Sequence, residues 1–197
     1  FAYIIGRDDG LVHPEASITR AEVATIFFRM LTEDSRAQLW TTTNPYSDVA
    51  AEAWYNNAVS TLTTSGVITG KPGNVFDIAG HWANKYINRA AVLGLINGKG
   101  DGTFDPNADI TRAEAMAIVN RTLGRKPDAD HMLPNMITWE DNLDESKWYY
   151  ADVQEATNSH DFEVESDADG LYEVWTGLLQ VRDWAALERA WPEANSS

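Results

Sequence analysis

Apolar residues recur at steps of three and four from Trp54 to Leu62 and again from Trp82 to Val92, and each run ends near a glycine, Gly66 or Gly94. This pattern predicts two amphipathic helices, each stopped by glycine at its C-terminal end. A second kind of apolar run follows Ile18-Thr-Arg-Ala-Glu22 and Ile110-Thr-Arg-Ala-Glu114. There a threonine and the glutamate three residues later satisfy backbone donors of the first turn reciprocally, so a helix starts at Thr19 and another at Thr111. The predicted buried stripe is Val23, Ile26, Phe27 and Met30 in one copy, and Ala115, Ile118, Val119 and Thr122 or Leu123 in the other. Between the two kinds of helix, Asp-Gly pairs at Gly10 and Gly102 supply turn chemistry, and Pro14 or Pro106 keeps the loop from continuing as helix.

These elements repeat. DDGLVHPEASITRAEVATIFFR (8–29) and GDGTFDPNADITRAEAMAIVNR (100–121) align without a gap, and YSDVAAEAWYNNAVSTLTTSGVITG (46–70) aligns with FDIAGHWANKYINRAAVLGLING (76–98). With Trp54 laid on Trp82, Val59 meets Ile87 and Gly66 meets Gly94. A weaker copy begins at Thr138, where Trp148 and Val153 keep the register but His160 and Val164 stand in place of glycines. The repeating unit is therefore helix, glycine-rich loop, capped helix, a tandem architecture that must be recognised before any other fold reading.

The aromatic-x-Asp-Val/Ile motif, a Trp, Gly-Val/Leu-Ile-x-Gly, Asp-Gly-x-Phe-x-Pro and Ile-Thr-Arg-Ala-Glu all occur between Phe76 and Leu123, and in that order they resemble an S-layer homology module. The resemblance implies a mainly α fold of tandem helix-loop-helix modules around a pseudo-threefold axis, followed here by a mixed C-terminal tail. It implies the second half of a first module at 1–45, the first half of a second at 46–75, a complete module at 76–127 and a divergent extension at 128–197. After Gly70-Lys-Pro-Gly73 the second helix is absent, because Val75-Phe76-Asp77 already opens the next module. Either a half-module has been lost or a segment is missing near 73–76. The second option is favoured, since a first helix without its partner leaves an apolar stripe exposed. The chain also starts in mid-module, and the tail helix around Trp148 to Thr157 is a candidate for the vacant place.

Arg20 and Arg112 each follow a helix-capping threonine, where free backbone donors and the helix dipole favour an anion and a guanidinium adds bidentate recognition of a carboxylate. Pairing with an aspartate such as Asp48 or Asp77 to pin a module interface is the competing role. Trp82, beside His81, and its counterpart Trp54 offer faces for a sugar ring or plugs for an inter-module core. The resemblance implies a groove for wall polymer built from Asp77, Trp82, Gly98, Lys99, Arg112 and Arg20, with Asp48, Trp54 and Lys71 from the incomplete module. The expected partner is an anionic, often pyruvylated, cell-wall polysaccharide bound outside the bacterial cell, anchoring an exported protein. Self-association within a surface layer or filament is the alternative.

Composition bears on these expectations. With 15 Lys and Arg against 30 Asp and Glu, the formal charge of -15 disfavours nucleic acid and makes the two arginines the local basic spots. No cysteine is present, which removes disulfides and thiolate metal sites. No apolar run approaches the roughly 20 residues of a membrane helix, and no signal peptide precedes Phe1. Asp105, Asn107 and Asp109 alternate, as do acidic residues in Glu165 to Gly170, but neither places the glycine and closing glutamate of an EF-hand, so solvated acidic loops are expected. His13, His81, His131 and His160 lack metal-ligand spacing, and Ser159-His160-Asp161 are chain neighbours that cannot form a triad. The expectation is thus no catalytic residue, no metal set and no cofactor. In the tail, SHDFEVESDADGLYEVWTG predicts a hairpin and RDWAALERAW an amphipathic helix with Trp184, Leu187 and Trp191 on one face.

Overall fold

The computed structural model describes residues 1–67 and 109–184. Expectations for 68–108 and 185–197, among them the helix from Trp82 to Val92, the junction at 73–76, Leu187 and Trp191, lie outside the described residues. Among the described residues there are five α-helices and a two-stranded sheet: α1 Arg20–Met30, α2 Glu33–Leu39, α3 Asn56–Thr64, α4 Arg112–Thr122, α5 Tyr150–Thr157, β1 His160–Ser166 and β2 Leu171–Leu178. The fold is mainly α, and it divides into two compact units, one from 1–18 and 80–182, the other from 19–79 and 183–197.

In the unit containing 19–67, α1 starts where its sequence requires. Thr19 Oγ1 accepts from the Glu22 N–H at 3.2 Å, while Glu22 Oε2 accepts from the Thr19 N–H at 2.8 Å. Its other end is closed by Arg36 of α2, whose buried guanidinium donates to the carbonyls of Phe28, Arg29 and Leu31 at 3.3, 3.0 and 2.7 Å. A cation at a helix C-terminus meets both the unpaired carbonyls and the negative end of the dipole. α3 ends at Gly66, φ 75°, where Val67 N–H reaches back to the Leu62 carbonyl at 3.0 Å, the glycine stop expected from sequence.

α1 packs against α3. Ala24 and Phe28 meet Ala58, Val59 and Leu62, with Tyr46 and Val49 from the intervening loop completing the core. Two expectations change here. Phe28 is 1% exposed and Phe27 38%, so the buried stripe is rotated by one position from the one expected; with two adjacent phenylalanines, periodicity fits either, and only the location of α3 selects between them. The stripe of α3 is covered, although by the capped helix that precedes it in the chain.

The other unit is assembled the same way, with α4 packed against α5. Thr111 and Glu114 repeat the capping box at 3.1 and 2.7 Å. Ala115 and Val119 are buried as expected, but Met116 and Asn120 replace Thr122 and Leu123 on the inner face. Asn120 is drawn inward by polar partners: its Oδ1 accepts from the Tyr3 hydroxyl at 2.7 Å and its Nδ2 donates to Asp152 Oδ1 at 2.9 Å. Burial raises the Asp152 pKa, while the Asn120 hydrogen bond opposes that rise. The tail forms the expected hairpin, β1 antiparallel to β2 with a bulge between Asp161 and Phe162. Its acidic turn is closed by Asp167, whose Oδ1 accepts from the N–H groups of Asp169 and Gly170 at 2.8 and 3.1 Å.

α5 is to α4 what α3 is to α1. Aligning Trp148 with Trp54 brings Val153 onto Val59, both fully buried, and Ala156 onto Leu62. Tyr3 then makes the counterpart of the Val67 bond, its N–H meeting the Ala156 carbonyl at 3.1 Å. Tyr3 and Ile4 thus dock at the end of α5 as Val67 docks at the end of α3.

Candidate functional site

The aromatic residue, the aspartate and the tryptophan that introduce the first-type helix are held by comparable local chemistry in both units. In the unit of α3, the Tyr46 hydroxyl meets Thr63 Oγ1 at 3.3 Å; in the unit of α5, the Trp139 indole donates to Thr157 Oγ1 at 3.0 Å. Thr63 and Thr157 bond back to Val59 and Val153 carbonyls at 2.7 and 2.8 Å. The helix therefore fixes the aromatic side chain, and the aromatic fixes the loop that carries the aspartate.

Trp54 and Trp148 point outwards, with 59% and 60% of their surface exposed. Each is steadied edge-on by the next residue, Tyr55 at 5.3 Å and Tyr149 at 5.4 Å, with interplanar angles of 88° and 83°. An exposed indole held by an edge contact keeps one face free for stacking on an apolar sugar face. Trp54 is thus no plug in the described core. Trp148, excluded from the predicted groove, has the same presentation; its spacing to Val153 was the sequence signal for it.

Arg20 is the first residue of α1 and is partly exposed; Asp48 is exposed on the loop before α3. Both belong to the unit that carries Trp54. Arg112 is placed differently, in the other unit and only 4% exposed. Its Nε donates to the Val12 carbonyl at 2.8 Å and its Nη2 to the Ile5 carbonyl at 3.4 Å. The other side of the same loop is held by Asp141, the aspartate of the Trp139-Glu-Asp141 copy, which accepts from the N–H groups of Val12 and His13 at 3.2 and 2.6 Å. His13 sits at φ 49°, an uncommon conformation for a residue with a side chain. Gly6 lies so close to Trp139 that an added Cβ would overlap the indole ring. Arginine and aspartate therefore shape the Asp-Gly loop from beneath. Asp77, Trp82, Gly98, Lys99 and Lys71 lie outside the described residues.

Near the same unit's surface, the Tyr149 hydroxyl donates to Glu15 Oε1 at 2.8 Å, and Lys147 approaches the same carboxylate at 3.5 Å. Burial and this hydrogen bond push the Tyr149 pKa up to about 12. Among the described residues no helix is long and apolar enough to cross a membrane.

Two stretches, 45–76 and 77–116, match the S-layer homology domain family. The chain is 29% identical over 85% of its length to Cell surface glycoprotein 1 of Acetivibrio thermocellus, covering 9% of that protein. It is 27% identical over 84% of its length to the Cellulosome-anchoring protein of the same organism, covering 44% of it. Similarity to the Surface-layer 125 kDa protein of Lysinibacillus sphaericus is 26% over 61% of the chain and 13% of that protein. The chain thus spans less than half of each of these relatives. No solved structure matches.

Proposed function

We propose, from the premise that residues 45–116 belong to the S-layer homology family, that this chain is a non-catalytic module holding an exported protein on the bacterial cell surface. The names of the relatives, a cell surface glycoprotein and an anchoring protein, support an extracellular, wall-associated place for it. The ligand in this reading is an anionic, often pyruvylated, wall polysaccharide. Modules at 1–45, 46–75 and 76–127, with the extension at 128–197, are proposed to surround a pseudo-threefold axis.

The observation that carries the binding reading is the outward presentation of Trp54, in the unit that also carries the exposed Asp48 and Arg20. In an acidic chain, a partly exposed arginine at a helix N-terminus supplies the positive field for a carboxylate, and the indole supplies a stacking face. Asp77, Trp82, Gly98, Lys99 and Lys71 complete the proposed groove. Arg112 serves it indirectly, since reaching a ligand would cost its bond to Val12.

Binding to isolated cell-wall sacculi, before and after chemical removal of the wall polymer, tests the proposal. Loss of binding on stripping, and in folded Trp54→Ala, is the expected result; binding indifferent to both rejects it. Assembly into a surface layer is the second reading, favoured by the surface-layer relative. A rise in mass with concentration in the absence of polymer would support that instead.

A further inference from the structure

In the unit of α4 and α5, three side chains with metal-ligand chemistry converge on a single point. Glu155 of α5, His160 of β1 and Glu173 of β2 are all buried, and one ligand atom from each lies within 4.8 Å of the others. The point they surround is Nη2 of Arg125, 2.7 Å from Glu155 Oε1, 2.8 Å from Glu173 Oε2 and 2.7 Å from His160 Nε2. They form a pocket for a cation, filled by a side chain of the same unit.

The histidine tautomer follows from its contacts. Nδ1 lies 3.1 Å from the Asn158 carbonyl, which only accepts, so Nδ1 carries the proton and Nε2 turns its lone pair towards Arg125. This is how a backbone carbonyl orients a metal-binding imidazole. The ring is held flat against Trp175 at 3.8 Å with an interplanar angle of 12°. Glu173 is held both by Arg125, whose Nε donates to Oε1 and Oε2 at 3.0 and 3.1 Å, and by the Lys126 N–H, which donates to Oε1 at 3.0 Å and would remain if the guanidinium left.

Two carboxylates face one guanidinium, with the Phe1 ammonium also within electrostatic reach of Glu155, and Glu155 Oε2, buried 3.2 Å from the His160 lone pair, has no hydrogen-bond partner among the described residues. Burying a carboxylate oxygen without a donor is costly. A doubly charged ion in place of the guanidinium would neutralise both carboxylates and use the imidazole lone pair. Ligand bonds of about 2.0–2.2 Å would draw each of the three atoms inward by roughly 0.5–0.8 Å from its present 2.7–2.8 Å distance to Nη2. Arg125 has a way out: 16% of its side chain is exposed, and its guanidinium lies 3.9 Å from the ring centroid of the partly exposed Phe162.

We propose that Glu155, His160 and Glu173 form a binding site for a divalent transition-metal ion, and that Arg125 is the counter-cation this ion displaces. One imidazole and two carboxylates suit ions of the zinc, cobalt or manganese type better than calcium, which takes six to eight oxygen ligands.

The test uses the full chain freed of metal with a chelator. Calorimetric titration with zinc chloride should show one saturable ion per chain, and zinc should raise the melting temperature. His160→Gln should weaken zinc binding by roughly tenfold or more, while Arg125→Gln should strengthen it by removing the competitor. Unchanged affinity in His160→Gln would place the ion elsewhere on this acidic protein and overturn the proposal; unchanged affinity in Arg125→Gln would overturn the displacement. A measurement independent of variant folding is the visible spectrum of the wild-type chain with cobalt. Intense d–d bands of a low-coordinate nitrogen-oxygen site are expected, and the weak spectrum of hydrated cobalt would overturn the site.

Discussion

The backbone N–H of Tyr3 donates to the carbonyl of Ala156 at 3.1 Å, the same bond that Val67 makes to Leu62 at 3.0 Å in the other unit. In the second case the partners are five residues apart and follow one another around a glycine stop. In the first they lie at opposite ends of the sequence. Tail helix α5 thus holds residues 3 and 4 as α3 holds Val67. Val153→Ala, which opens a cavity under α5, should therefore loosen the N-terminal segment as well as the tail. A destabilisation of about 1–3 kcal/mol is expected, with amide exchange of Tyr3 and Ile4 accelerated together with that of α5. Protection of residues 2–4 that survives while α5 loses its own would refute this coupling.

Arg36 closes α1 with three carbonyl contacts while buried. Arg36→Gln cannot reach all three acceptors, and leaving buried carbonyls unpaired should cost about 1–3 kcal/mol in chemical denaturation. Arg36→Lys should recover little of it, because an ammonium lacks the planar fork. Full recovery by lysine would mean that charge at the helix end matters and geometry does not.

Trp54→Ala and Trp148→Ala remove exposed rings, so each should change stability by no more than about 0.5 kcal/mol. If Trp54 stacks on wall polymer, its loss lowers sacculus binding at every ionic strength. The contribution of Arg20 should instead fade as salt rises. A Trp54→Ala protein that unfolds readily would return this ring to a structural role.

Asp141 and Arg112 hold opposite sides of Val12. Asp141→Ala should release the loop from Asp8 to Pro14 at a cost of about 1–3 kcal/mol, seen as protease sensitivity confined to that loop. Uniform sensitivity along the chain would count against a local clamp.

Tyr149 has a folded pKa of about 12 against an ordinary value of 10.0, with burial as the main cause and the Glu15 hydrogen bond next. Because the folded pKa is raised, its stabilising contribution is fully present below the ordinary value and is lost as pH climbs through about 12. Because Tyr3, Tyr150 and Tyr172 are raised as well, phenolate absorbance should show one tyrosine fewer titrating near the top of that window in Tyr149→Phe than in the wild type. The variant should lose less stability between those two pH values.

Local chemistry made much of this protein legible without coordinates. Thr19 with Glu22 and Thr111 with Glu114 start helices wherever they occur, because a capping box involves only four consecutive residues. Gly66 stops α3 for an equally local reason, and alternation in the tail announced the hairpin. The spacing from Trp54 to Val59 and from Trp148 to Val153 marked equivalent positions, even where the glycines had gone.

Only the tertiary structure decided which helix covers which. Capped helices α1 and α4 pack on first-type helices that follow them in the chain, and this chose Phe28 over Phe27 and drew Asn120 inward. It also separated two arginines in identical motifs: Arg20 stays partly exposed, while Arg112 is buried beneath a loop contributed by distant residues. The gathering of Glu155, His160 and Glu173 around Arg125 has no periodic signature, since a helix, two strands and the segment after α4 each supply one group. Caps and stops depend on neighbours in sequence and can be read there; burial and charge clusters depend on neighbours in space, which the pairing of faces alone selects.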